Sequence, residues 1–163
     1  MKQIKIKLLL LLLIVILFGC SSNDQVDLFE WDGSFVGDNS AVINLANQLM
    51  HHDKMESVAL QTTKEPYGIQ LVYSNIEANQ LEDEYRKTVL YNATYIFTLI
   101  DNAELLTFQF DEKTYTLEKT ELEKWYGQDL DSFEEEEALH QLLESTLANE
   151  EKIIDFFENS LHE

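Results

Sequence analysis

From Val36 to Glu118 the apolar positions keep two rhythms in turn. Val42, Leu45, Ala46, Leu49 and Met50 fall at i, i+3, i+4, i+7 and i+8, which places all five on one face of a helix. Gly37 interrupts the short apolar stretch before them. Asp38, Asn39 or Ser40 can then cap the helix, because a short oxygen-bearing side chain accepts from its first free amides. The spacing predicts a helix running to about His52. The period then drops to two. Val58, Leu60 and Thr62 alternate with Ser57, Ala59 and Gln61, and Ile69, Leu71 and Tyr73 alternate with Gln70 and Val72, as in half-buried strands. Between the strands lies KEPYG. Pro66 at the second and Gly68 at the fourth position of a turn from Glu65 predict a type I turn and a hairpin.

The two rhythms then recur. Leu81, Tyr85, Val89, Ala93, Ile96 and Ile100 predict a long helix from about Asn79. Its second half is apolar all round, so Thr94 to Ile100 should be its most buried part, lying between a sheet and another element. Leu106, Phe108 and Phe110, a turn near Asp111 to Lys113, and Tyr115 and Leu117 make a second hairpin. Two helix-plus-hairpin units therefore follow one another without residue-by-residue identity. The expected fold is α+β: a four-stranded antiparallel sheet, both helices packed on one face, and a polar opposite face. A short helix around Glu121 to Tyr126 should end at Gly127. A last helix from near Ser132 would carry Leu139, Leu142, Leu143, Leu147, Ile153, Ile154, Phe157 and Leu161 onto the sheet.

The N-terminal stretch has neither period. Leu8 to Phe18 is a run of eleven apolar residues, about half of what crossing a bilayer requires, preceded by Lys2, Lys5 and Lys7 and no acid. That is signal-peptide anatomy. Leu17, Phe18, Gly19 and Cys20 resemble a bacterial lipobox, in which the cysteine thiol receives a diacylglyceryl group and the preceding peptide is cut away. Phe18 is bulkier than the residue usual at its position. Cys20 is the chain's one cysteine, so no disulfide can form within it, and lipid attachment gives its thiol a use. The alternative is an uncleaved short anchor. The expected organisation is a cleaved leader over 1–19, a polar tether over 20–28 and a single domain over 29–163. The expected location is the outer face of the cell membrane.

Charge narrows the partners. The 163 residues hold 31 acidic and 11 basic side chains. Without the leader and its three lysines the net charge is −23. Such a surface repels nucleic acid and anionic lipid headgroups alike, so membrane association must come from the lipid.

Candidate chemistry is sparse. His51, His52 and Asp53 are adjacent, and neighbouring helical side chains diverge by about 100°, so a solvated helix end describes them better than a metal site. His140 and His162 add no ligand spacing. Glu134 to Glu137 suit the first turn of a helix, where the dipole favours negative charge. No calcium-loop pattern and no catalytic fingerprint such as GxSxG, HExxH or a P-loop occurs, so no metal, cofactor or catalytic residue is expected. Tyr67, Trp125 and Tyr126 are candidate partner contacts, with core packing the stronger expectation for Trp125. Asn92 opens a formal NAT glycosylation acceptor inside the long helix.

VGDNS from Val36, LQTTKEPYGIQLVY from Leu60 and LIDN from Leu99 resemble the domain of unknown function numbered forty-eight twenty-five, over roughly Phe29 to Leu130. Gly37, Asp38, Asn39, Ser40, Pro66, Tyr67 and Gly68 carry its loop signatures. The resemblance implies a lipoprotein of Gram-positive bacteria, related to the outer part of some BlaR-type sensor homologues, and it implies no catalytic residue. The expectation is a non-enzymatic binding or sensing module whose partner is a protein or envelope component. An envelope hydrolase with paired carboxylates and a passive structural lipoprotein are the rivals.

Overall fold

Hydrogen-bonded neighbours follow chain order in the four-stranded sheet of this protein, seen here in a computed structural model that describes residues 26–159. Strands β1 (Met55–Gln61), β2 (Gly68–Tyr73), β3 (Leu105–Gln109) and β4 (Thr114–Glu118) lie in the order β1, β2, β3, β4. Among the described residues five α-helices accompany them: α1 (Asn39–Ala46), α2 (Leu81–Leu99), α3 (Lys119–Tyr126), α4 (Glu136–Leu147) and α5 (Glu150–Asn159). Among the described residues no helix is long and apolar enough to cross a membrane.

The α+β class holds, but the sheet is mixed. Both hairpins are antiparallel as expected, whereas β2 and β3 run parallel, Gly68 opposite Leu105 through Val72 opposite Gln109. The reason is the connection. A nineteen-residue helix between β2 and β3 carries the chain back to the end from which β2 started, so β3 runs the same way. Alternation reports which face a side chain takes, not the direction of the neighbouring strand.

One sheet face is covered. Ile69, Leu71, Tyr73, Leu106, Phe108 and Leu117 are buried there, and α2 lies over them with every residue from Asn92 to Ile100 buried. The helix has neighbours on its other sides too: α1, α4, α5 and the 3-10 turn at Leu130–Ser132. This explains why its second half is apolar all round. Removing each large side chain in this layer from water contributes about 1.5–3 kcal/mol.

Three local expectations need correction. First, α1 ends at Ala46, not near His52. The buried Asn92 amide substitutes for further helical bonding: its oxygen accepts from the Met50 amide at 2.9 Å and its nitrogen donates to the Met50 carbonyl at 3.1 Å. His51 then adopts a left-handed backbone conformation with φ of 56°. Second, the first hairpin has no type I turn. Its connection contains a cis Glu65–Pro66 bond, and the Gln61 side chain closes the loop by donating to the Pro66 carbonyl at 2.8 Å. Third, the last helix is two helices, α4 and α5. Asn149 separates them, its side-chain oxygen accepting from the Lys152 amide at 3.0 Å as a cap does.

Candidate functional site

The uncovered sheet face consists of three rows set by the strand register. Gln61, Gly68, Leu105 and Glu118 form one row; Ala59, Gln70, Thr107 and Thr116 the next; Ser57, Val72, Gln109 and Thr114 the third. Of these twelve positions only Glu118 is charged, in a chain that is 26% charged. Cross-strand hydrogen bonds stiffen the surface. Gln70 Nε2 donates to Gln109 Oε1 at 3.1 Å, and the Thr107 and Thr116 hydroxyls meet at 3.4 Å.

A hollow of about 160 Å³ opens where the small residues Ala59 and Gly68 lie between the longer Gln61, Gln70, Leu105 and Thr107. Gly68 is small of necessity. A Cβ there would sit 2.9 Å from the Leu105 carbonyl oxygen of the neighbouring parallel strand.

The signature loops border the fold's core. Asp38 is the residue that caps α1, its carboxylate accepting from the Ala41 amide at 3.1 Å; Asn39 and Ser40 form the exposed first turn. Gly37 precedes the cap. Pro66 is exposed in the hairpin loop, while Tyr67 is half-buried against the core and holds Glu104 and Leu105 through its carbonyl. Tyr67 therefore fastens the start of β3 as well as ending the loop. Leu17, Phe18, Gly19 and Cys20 lie outside the described residues, as does His162. Of the expected tether, Asp27 caps a 3-10 turn and Leu28 is buried.

The titratable groups do not converge as a ligand set around His51. Its Nε2 lies 2.8 Å from Glu84 Oε1 on α2, while the His52 Nδ1 meets the Leu49 carbonyl at 3.2 Å. Both histidines stand beyond the end of α1, so the expected helix-end dipole does not act on them. Glu136 and Glu137, but not Glu134 and Glu135, occupy the first turn of α4. Glu136 also accepts from the Leu28 amide at 3.2 Å.

Sequence spacing did not single out Glu123, Asp129 and Asp131, whose carboxylates lie within 4.8 Å of one another. All three already fasten their loop. Glu123 accepts from the Leu130 amide at 3.1 Å, Asp129 from the Asp131 amide at 2.9 Å, and Asp131 pairs with Lys119.

Aromatic residues hold the C-terminal helices in place. Trp125 packs on Phe156 at 4.6 Å between centroids, and Phe157 meets Tyr115 edge-on at 5.2 Å. The Tyr126 hydroxyl bonds to Thr94 at 2.7 Å; burial outweighs that bond and pushes its pKa up to about 12. Trp125 is thus a packing residue, as its core alternative required.

The family described as Domain of unknown function (DUF4825) matches residues 28–121, a span that includes the whole sheet and leaves α4 and α5 outside. No curated protein and no solved structure matches the chain.

Proposed function

The chain belongs to the DUF4825 family, and from that premise we propose that it is a non-enzymatic binding or sensing module, held at the outer face of the cell membrane by a lipid on Cys20. The observation that carries the binding reading is the open sheet face. It is braced by cross-strand side-chain hydrogen bonds, free of all but one charge, and contained within the family's own span. A solvated face on so acidic a chain has no need to exclude carboxylates, whereas a surface that receives another molecule does. The short leader, the lipobox and the single cysteine support the anchor. The resemblance to the outer part of sensor homologues supports a receptive role over a purely structural one. Of the carboxylates a rival hydrolase could use, Glu123, Asp129 and Asp131 each hold a partner within or beside their own loop.

Two measurements test the reading. The full chain solubilised from membranes should incorporate labelled fatty acid, and Cys20→Ala should release it into the soluble fraction. Immobilised in detergent, it should retain an envelope component at low and moderate salt, and Thr107→Glu on the open face should abolish retention. Retention unaffected by Thr107→Glu would refute the role given to this face.

A further inference from the structure

We propose that the hollow around Gly68 binds a neutral glycan, with one sugar ring seated over Ala59 and Gly68 and its hydroxyls on the side-chain carbonyls of Gln61 and Gln70. The inference rests on the binding-module reading and names the ligand of that same face. Electrostatics selects the class. An anionic polymer is repelled by a chain of net charge −20, and a basic protein is drawn to carboxylates, of which this face offers one at a corner. A second copy carries the same repulsion and finds too little area. Four strands about 4.8 Å apart and three rows of side chains present a few hundred Å², against roughly 800 Å² per partner in a stable complex. An extended peptide is recognised along an unpaired strand edge, where backbone groups are available, and not over the interior strands β2 and β3, which pair on both sides and carry Gly68 and Leu105.

The hollow matches a sugar in shape and polarity. Its floor is apolar, formed by Ala59 and the Gly68 backbone beside Leu105, and its rim is amide and hydroxyl, from Gln61, Gln70 and Thr107. A pyranose ring has the complementary pattern, C–H groups on its faces and hydroxyls around its edge. The rim is also oriented. Gln61 spends its amide nitrogen on the Pro66 carbonyl and Gln70 spends its own on Gln109, which leaves both side-chain oxygens as acceptors that no described residue uses. Hydroxyl donors satisfy them. No aromatic ring stands in the three rows, so each ring unit contributes modestly and affinity should grow with the length of the glycan.

The test uses the full chain in detergent, isotopically labelled, titrated with N-acetylglucosamine oligomers of one, three and six units. Amide shifts confined to Gly68, Gln70, Leu105 and Thr107, with affinity rising at least tenfold from one unit to six, support the proposal. Ala59→Leu, which fills the hollow from an exposed position, should then abolish binding while leaving the rest of the spectrum unchanged. Shifts that survive Ala59→Leu, or that scatter over the surface, overturn it. If no oligomer binds but an envelope protein is retained and Thr107→Glu releases it, the glycan assignment falls and the binding module stands. If neither sugar nor protein engages the face, both fall.

Discussion

Asn92 shows how much one buried polar side chain can decide. Its amide serves the Met50 amide and carbonyl and also donates to the Tyr73 hydroxyl at 3.0 Å. Replacing it with alanine leaves several buried groups unsatisfied, so Asn92→Ala should lower unfolding free energy by about 2–4 kcal/mol in urea titrations; a loss under about 1 kcal/mol would contradict this account. In the sequence the same residue looked only like a glycosylation acceptor, because periodicity identifies buried apolar positions and is silent about a buried amide. Tyr95 is the contrasting case. It is fully buried, its hydroxyl finds no hydrogen-bond partner among the described residues, and Tyr95→Phe should be neutral or stabilising by up to about 1 kcal/mol, whereas Tyr73→Phe should destabilise by a similar amount. Burial also holds Tyr115 and Tyr126 protonated, with pKa values raised to about 12. Above pH 10 the unfolded chain gives up phenolic protons that the folded chain keeps, so stability should fall between pH 10 and about 12 and be indifferent to these groups below pH 10. The part of the tyrosinate absorbance that Tyr115→Phe and Tyr126→Phe remove should then appear together with unfolding; its gradual rise in a still-folded chain would show that these two rings are accessible.

Among the elements, those with an internal period were legible and those decided by contacts elsewhere were not. The four strands and the long helix declared themselves through their apolar spacing, and Gly127, at φ of 77°, ended α3 where expected. The parallel pairing of β2 with β3 depends on how α2 crosses the sheet, and no residue within either strand encodes it. The open face follows the same logic. Its polar side chains were visible as the alternate positions of each strand, but the hollow arises from register, which sets Gly68 beside Ala59 and Leu105. The break between α4 and α5 was readable in principle, since Asn149 is a good cap, yet the apolar positions continue through it and hid the boundary. Asn149→Ala should cost about 1 kcal/mol and speed amide exchange in α5 more than in α4. Uniform exchange across both helices would mean that they form one cooperative unit.

Across the whole molecule, charge sets the dominant long-range force. With a net charge of −20 and mostly exposed ion pairs, self-repulsion should exceed pairwise attraction, so adding salt should raise the melting temperature by several degrees. A fall would mean that pairs such as Arg86 with Glu82 count for more than the net charge. Packing extends over the same scale: Phe156→Ala, which empties the contact with Trp125, should destabilise by about 3–5 kcal/mol although it lies outside the family's span.

The first described residues are fastened at three places. The Leu28 amide is held by Glu136, the Ser34 carbonyl by the Asp101 amide at 2.9 Å, and the Val36 amide by Asn102 at 2.7 Å. Tension applied from the N-terminal side therefore meets the Glu136 clasp first. Whatever load passes it arrives at residues 100–102, the end of the crossover helix and the approach to β3, whose first residue forms a wall of the hollow.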